Sequence, residues 1–286
     1  MKASLMTSLL LLQTTSSFYS SLRTRQMTSL PANRKIITFD LDNTLWPTSK
    51  VITAANAALT AHLKSALPPQ NSPDLQQVWE IMGDIYSRDS SPYRSADDPE
   101  GDNPPVQLTS LRKAAIRRLC RAGGMTNTSE INTFTNDAFQ IWADARHRTC
   151  TELLTPNTVE SITRLRANGA LIGALTNGNA DVYAIEPLKN LFDFAVLSED
   201  VGVAKPNQLM FEAALEKASS LGGSKEGMVH VGDDITCDVL PALKFGVNAV
   251  FVTSLISEEK LEDGKKAIAL QDHHVPIINS LAEMKI

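Results

Sequence analysis

From Thr155 to Val252 the chain alternates short apolar runs of strand character with stretches of helical period, which narrows its fold more than any other feature. The runs are ALIGALT (170–176), FAVL (194–197), MVHVG (228–232) and NAVFV (248–252), and their β-branched and aromatic content suits strands. Helical segments are expected between them, at 156–167, near 180–190, from Pro206 to about Leu221 and at 236–245. Asn168-Gly169 and Gly222-Gly223 supply stops, and Pro206 falls in a first turn, where a missing N–H is no loss. Strands and helices in this order imply a parallel sheet covered on both faces. One more run of the same kind, Ile36–Phe39, comes much earlier.

No strand signal occurs between that first run and Thr155. Val51, Ala55, Ala58, Leu59, His62 and Leu63 recur at helical spacing, as do Leu75, Val78, Trp79, Met82 and Ile85. A polar, Pro/Gly-rich loop fills 92–105. Leu108, Leu111, Ala115 and Leu119, then Gly123, mark a third helix with its C-cap. Phe134, Ala138, Ile141, Trp142 and Ala145 mark a fourth, capped by Thr128 or Ser129 with Glu130 beside it. The expected organisation is an α/β core from 34–46 and 155–286, with an all-helical insertion at 47–154.

Composition enters at the N-terminus. Residues 1–39 hold five basic side chains and no acidic one, although the whole chain carries a net charge of −5. The first thirty or so residues are Ser/Thr-rich, and the apolar run Leu9–Leu12 is far short of the roughly 20 residues a bilayer needs. This pattern fits an organellar transit segment, for plastid or mitochondrion; without it the chain would be cytoplasmic. Residues 1–33 are therefore set outside the fold. The mildly acidic remainder shows no footprint for nucleic acid. Cys120, Cys150 and Cys237 are far apart and odd in number, so they read as buried small hydrophobes rather than disulfides or a zinc site.

In open α/β sheets, ligands bind beyond the carboxyl ends of the strands. The first strand ends in Asp40-Leu-Asp42-Asn-Thr44, the second in Thr176-Asn177-Gly178, and the fourth in Gly232-Asp233-Asp234 with Asp238 a turn later. Lys205-Pro206 opens a helix between them. Each stretch alone reads as an ordinary turn or cap; together they bring carboxylates, a hydroxyl, an amide and one lysine to one edge. So many carboxylates with one lysine call for a divalent cation, and an all-oxygen donor set suits Mg²⁺.

DLDNT, TNG, KP and GDDITCD, in that order, resemble the four motifs of the haloacid dehalogenase superfamily, and the resemblance covers nearly all of 33–286. It implies a Rossmann-like core, with 47–154 similar to the cap of C1-type members. More narrowly, ITFDLDNTLWP, LTNGNAD and HVGDDITCDV resemble a bacterial subgroup of flavin-mononucleotide and pyrimidine phosphatases. That subgroup's substrates include the 5-amino-6-(5-phosphoribitylamino)uracil of riboflavin synthesis. The resemblance implies Asp40 as nucleophile. Asp42 would be the acid and base for leaving alcohol and water, with a raised pKa and its backbone carbonyl toward the metal. Thr176, Asn177 and Lys205 would bind the phosphoryl group, and Lys205 would also neutralise Asp40. Asp40, Asp42 and Asp233 would hold Mg²⁺, with Asp234 and Asp238 holding metal waters or Lys205. Gly178 and Gly232 would allow close backbone approach.

The implied function is Mg²⁺-dependent hydrolysis of a small phosphomonoester, with no nucleic-acid or membrane partner. Alternatives are a phosphosugar mutase, a dehalogenase, or a silent binding module. The dehalogenases lack a counterpart of Asp42, which favours phosphoryl transfer. His230 reads as a core histidine, and Trp79 and Trp142 as helix packing. His273-His274 has no metal partner in view. Trp46 and Tyr93 fall in loops where insertion and core would meet, and are candidates for substrate contact. Most insertion arginines read as a solvated face, but Arg112 and Arg146 have apolar neighbours, and one of them is expected to face the site.

Overall fold

The computed structural model describes residues 34–67, 77–271 and 274–284. The transit-like segment 1–33, Leu75 and His273 lie outside the described residues. Six parallel strands form one sheet: β1 (Arg34–Phe39), β2 (Leu171–Thr176), β3 (Phe194–Leu197), β4 (Gly223–Gly232), β5 (Asn248–Val252) and β6 (Ile277–Ile278), in the order β3-β2-β1-β4-β5-β6. Alternate side chains feed opposite faces, as a strand's period of two requires. Ile37, Phe39, Ile172 and Val231 join one apolar layer, and Ile36, Leu171, Met228 and Phe251 the other. Phe39 is level with Ala174 on one side and Val231 on the other. The segments leaving β1, β2 and β4 therefore emerge side by side at one edge. The strand order reverses at β1, which is where an open α/β sheet leaves a crevice for a ligand.

Among the described residues four helices follow β1 before Thr155: α1 (Thr48–Ala66), α2 (Gln77–Arg88), α3 (Leu108–Ala122) and α4 (Thr128–Glu152). Leu59, Leu63, Leu111, Ile116, Ile131 and Trp142 are among the residues that fill their own apolar cluster. The ends of this layer root in the sheet core, because Val51 of α1 and Cys150 of α4 pack there. A second attachment comes from the loop before α3. Gln107 donates to the Glu199 carbonyl at 2.8 Å, and Thr109 donates its hydroxyl (2.9 Å) and amide (3.2 Å) to the Glu199 carboxylate. The cap of α4 is Asn127, whose side chain accepts from the Ser129 and Glu130 amides, rather than Thr128 or Ser129. No helix among the described residues is long and apolar enough to cross a membrane.

The remaining helices are α5 (Thr158–Ala167), α6 (Ser198–Val201), α7 (Gln208–Ser219), α8 (Leu240–Phe245) and α9 (Glu258–Ala269). The helix expected near 180–190 is a single 3₁₀ turn, Val182–Ala184, followed by turns; Pro187 disfavours helix at the residue before it. The helix expected at 236–245 is split into a π turn (Ile235–Val239) and α8, with Pro241 at the junction. Asn207 caps α7, which places Pro206 before the cap rather than in the first turn. Cys120 and Cys150 are buried as expected, while Cys237 is partly exposed.

Candidate active site

The loop after β1 is pinned by its apolar residues, since Leu41, Leu45 and Trp46 are all fully buried. Asn43 takes a left-handed conformation (φ 65°) and its amide donates to the Trp46 carbonyl at 2.9 Å. This tight turn sends Asp40 and Asp42 to different surroundings. Asp40 is buried; one oxygen accepts from Lys205 Nζ at 2.7 Å and the other from the Thr44 hydroxyl at 3.3 Å. Thr44 Oγ1 also lies 3.2 Å from Asp233 Oδ1, so one hydroxyl sits between two carboxylates.

Asp42 faces the helical layer. It accepts from Trp46 Nε1 (2.9 Å), the Thr48 hydroxyl (3.0 Å) and Arg146 Nη2 (3.0 Å). Gly178 permits this approach, because a Cβ there would lie 2.2 Å from Asp42 Oδ2. Arg146 thus reaches the site, whereas Arg112 bonds to Asn56 and stacks on Trp142. Trp46, a candidate for reading substrate, is wholly buried and instead holds Asp42.

Lys205 Nζ bridges Asp40 and Asp238, at 2.7 and 2.6 Å. Both amide atoms of Asn177 are taken by the Lys205 backbone: Oδ1 accepts from its N–H at 2.7 Å and Nδ2 donates to its carbonyl at 2.9 Å. This side chain, expected on the phosphoryl group, therefore clasps the lysine loop. Thr176 is buried and its hydroxyl oxygen accepts from the Gly178 amide at 2.9 Å. Asp234 turns away to cap its own turn, accepting from the Thr236 and Cys237 amides. Asp238 alone of the two accepts from Lys205. Its Oδ1 also meets His230 Nε2 at 3.1 Å, and its Oδ2 accepts from the Asp234 amide at 3.0 Å. A Cβ on Gly232 would sit 2.3 Å from Asp238 Oδ2. His230 is a core residue, as expected, but its Nδ1 pairs with Thr38 Oγ1 at 2.9 Å and its other nitrogen orients Asp238. Nothing in a strand of alternating apolar residues signals that second partner.

The charges are unevenly matched. Burial lifts the Asp40 carboxyl well above its usual range; Lys205 opposes the lift, and Asp238 and Asp233 add to it. Burial, then Asp238, pushes Asp233 up to about 7. Burial acts upward on Asp238 too, but Lys205 and His230 outweigh it and hold that carboxyl below the usual range. Burial works to lower Lys205, yet Asp238 and Asp40 hold its ammonium above the ordinary value. Carboxylate oxygens of Asp40, Asp233 and Asp238 lie within 4.8 Å of one another. Asp42 adds no carboxylate to this group, and Asp238 is already neutralised by Lys205 and held by His230 and the Asp234 amide. Asp40 and Asp233 are thus two hard oxygen donors, short of positive charge and facing one hydroxyl, which fits Mg²⁺.

A cavity of about 550 Å³ opens over Lys205 and Asn177, walled by Ser95, Asp97, Pro105 and Asn207 among others. The loop forming this wall is docked by Ala96 N to the Gly202 carbonyl (2.8 Å) and by Asn207 to Asp97.

Residues 34–246 match the family model described as haloacid dehalogenase-like hydrolase. A glyceraldehyde 3-phosphate phosphatase of Methanothermobacter thermautotrophicus is 27% identical over 88% of this chain and 98% of its own. A 5-amino-6-(5-phospho-D-ribitylamino)uracil phosphatase of Escherichia coli is 26% identical over 76% of this chain and 82% of its own. Among solved structures, a 2-haloacid dehalogenase from Pseudomonas syringae superposes with a TM-score of 0.65 at 26% identity, covering 87% of this chain and 96% of that one.

Proposed function

The chain belongs to the haloacid dehalogenase-like hydrolase family, and on that premise we propose that it is a phosphomonoesterase acting on a small phosphate ester through an aspartyl-phosphate intermediate. The observation that carries this reading is the contrast between two carboxylates two residues apart. Asp40 is buried against Lys205, and Asp42 stands on the opposite side of the same turn, held only by side-chain donors. A nucleophile and a separate proton carrier need that division of labour. The dehalogenases, which dispense with the second acid, have no use for it.

In the first step an Asp40 oxygen attacks phosphorus, the bond to the leaving alcohol breaks, and Asp42 gives its proton to the alcohol oxygen. In the second, Asp42 takes a proton from water, the water oxygen attacks phosphorus, and the bond to Asp40 breaks to release inorganic phosphate. Lys205 fixes Asp40 by one oxygen and supplies a point charge beside the phosphoryl group. The Thr176 hydroxyl oxygen already accepts from Gly178, so its hydrogen is the part offered to the phosphoryl oxygens. Asn177 acts through Lys205 by holding its backbone. Mg²⁺ held by Asp40, Asp233 and the Asp42 carbonyl would offset the repulsion between nucleophile and phosphate.

The cavity is within the range of about 300–1,000 Å³ usual for small-molecule sites. The two phosphatase relatives support a small-metabolite ester, and the residues flanking the motifs support a riboflavin-pathway ester or flavin mononucleotide as the finer proposal. The basic, acid-free leader supports plastid or mitochondrial import, to be tested by imaging a fluorescent fusion of residues 1–33. The activity is tested by phosphate release from flavin mononucleotide, the ribitylaminouracil phosphate, glyceraldehyde 3-phosphate, phosphoglycolate, nucleotides and sugar phosphates, with and without Mg²⁺. Metal-dependent release abolished by Asp40→Asn is expected. Phosphate migration without release would turn the reading to a mutase, and silence with metal bound would turn it to a binding module.

A further inference from the structure

Two buried guanidiniums flank Trp142, and among the described residues one carboxylate, that of Asp42, touches one of them. Arg112 is 3% exposed. Its Nη1 donates to Asn56 Oδ1 at 3.2 Å, an oxygen that also accepts from Trp142 Nε1 at 2.8 Å. Its guanidinium carbon lies 3.9 Å from the Trp142 ring centroid and 5.2 Å from that of Trp79. Among the described residues no carboxylate pairs with it, and its Nε is buried with no partner. Burial, then the like charge of Arg146, brings it down to about 9, which leaves it charged at neutral pH. Arg146 lies 5.6 Å from the same Trp142 ring. It spends Nη1 on Asn179 and Nη2 on Asp42, and its Nε is also buried and unpartnered.

Stacking on aromatic faces offsets part of the loss of hydration. It does not replace an anion, because buried charges require pairing and unused buried donors are unfavourable. The imbalance worsens during the reaction. When Asp42 turns to the leaving oxygen, it withdraws from Arg146 the one carboxylate that touches either guanidinium among the described residues. Gly178 lets Asp42 seat on Arg146, since a Cβ there would lie 2.2 Å from Asp42 Oδ2 and 3.3 Å from Arg146 Nη2.

We propose that Arg146 and Arg112 form a subsite for a second acidic group on the leaving alcohol, which takes the place of Asp42 on Arg146 as Asp42 turns to the leaving oxygen. The inference rests on the phosphatase reading and narrows its substrate class. Phosphate esters of hydroxy acids belong to it fully. The weakly acidic imide of a pyrimidinedione belongs to it marginally, and simple alkyl esters fall outside. Guanidinium suits the task because its planar fork matches a carboxylate.

The test compares two esters of equal frame, phosphoglycolate and ethyl phosphate, on the full chain with Mg²⁺. We expect kcat/KM at least tenfold higher for phosphoglycolate, and Arg112→Gln, checked for folding by its melting curve, to bring the ratio toward one. Equal rates on the two esters in the unmodified enzyme overturn the inference, whether or not the variant folds. A loss in Arg146→Lys that is equal on both esters also overturns it, since the guanidinium would then serve the transferring phosphoryl group. If neither ester is cleaved, the phosphatase reading fails separately, and binding decides the subsite. Tryptophan quenching by phosphoglycolate at tenfold lower concentration than by ethyl phosphate supports it, and quenching at the same concentration sinks it.

Discussion

On the sheet edge, Lys205 stands between Asp40 and Asp238, and Asp238 is held again by His230 and the Asp234 amide. In the helical layer, Arg112 has no carboxylate among the described residues, and Arg146 has one that the chemistry borrows. The first network is nearly closed on itself, so its geometry is set before any ligand arrives. The second is open, and a ligand completes it. A preorganised half that does the chemistry and an incomplete half that chooses the substrate would answer differently to the same kind of mutation.

The largest effect is expected from removing the cation of the closed half. Lys205→Met leaves Asp40, Asp233 and Asp238 buried together without a neutralising partner. Stability should fall by about 3–5 kcal/mol, the usual penalty for breaking a buried pair, and kcat by about 10³-fold. Arg112→Met is the matching change in the open half, and it leaves no buried carboxylate behind it among the described residues. Its melting temperature should stay within a few degrees or rise, because apolar replacement of an uncompensated ion is often neutral or favourable. Thermal melts of both variants decide the matter. Equal losses would show that Arg112 is as fully compensated as Lys205, and the contrast between the halves would collapse.

The next effect separates proton from metal at the site. Asp233 is held up to about 7 in the fold, against about 4 in an unfolded chain. Without metal, the native state keeps a proton that the unfolded state has lost, so this carboxyl makes folding less favourable as pH rises from 4 to 7, by about 1 kcal/mol per pH unit. His230, held low by burial, works in the opposite sense below about pH 6.5. The clean observable is therefore the difference in melting temperature with Mg²⁺ and with a chelator. Metal must displace the Asp233 proton below pH 7 and need not above it. The difference should widen from pH 5 to pH 8, and a constant difference would remove Asp233 from the ligand set.

Much of the closed half could be read from the chain, and the reason is physical. A parallel α/β sheet brings strand ends to one edge, so Asp40, Thr176 and Asp233 come together because each closes or directly follows a strand. Which neighbour of a motif points inward was not legible. Asp234 and Asp238 look equivalent in GDDITCD, and the π turn at Ile235–Val239 decides that Asp238 meets Lys205 while Asp234 caps its own turn. Asn177 could not be seen to clasp Lys205, since the contact spans 28 residues. The helix expected near 180–190 gave way to Pro187. The open half was harder still. Arg112 and Arg146 both stand on apolar-faced helices, and only the packing of α3 and α4 shows which one reaches Asp42. Glu199, which anchors the loop ahead of α3, sits in no pattern that local spacing could reveal.

Gly178 lies at the junction of the two halves, where Gly178→Ala tests how finely Asp42 is seated. The added Cβ would lie 2.2 Å from Asp42 Oδ2 and 3.3 Å from Arg146 Nη2, so the carboxylate must move. A displacement on the order of 1 Å at a reacting group lowers rate by about 10²-fold. We expect kcat to fall about 10- to 100-fold while the melting temperature changes little, because Asp42 is the partly exposed member of the pair. If kcat holds, the arrangement of Asp42 on Arg146 is not the one from which the reaction starts.

The smallest effect comes from the far end of the helix that carries Arg146. Asn127 caps α4 by accepting from Ser129 N at 2.9 Å and Glu130 N at 3.2 Å. Asn127→Ala should cost about 1 kcal/mol, or about 2–4 °C in melting temperature for a chain of this size. At 1.5 Å per residue, Arg146 stands about 27 Å along the axis from that end. Fraying of the first turn should not reach it, since the middle of α4 is locked into the helical layer by Ala138 and Trp142. The ratio of rates on acidic and neutral esters should then equal that of the unmodified protein. That outcome would tie the preference for an acidic ester to the guanidiniums rather than to the stability of the helix. A ratio that fell with the melting temperature would make it a property of α4 as a whole, and Arg146 would lose its separate standing.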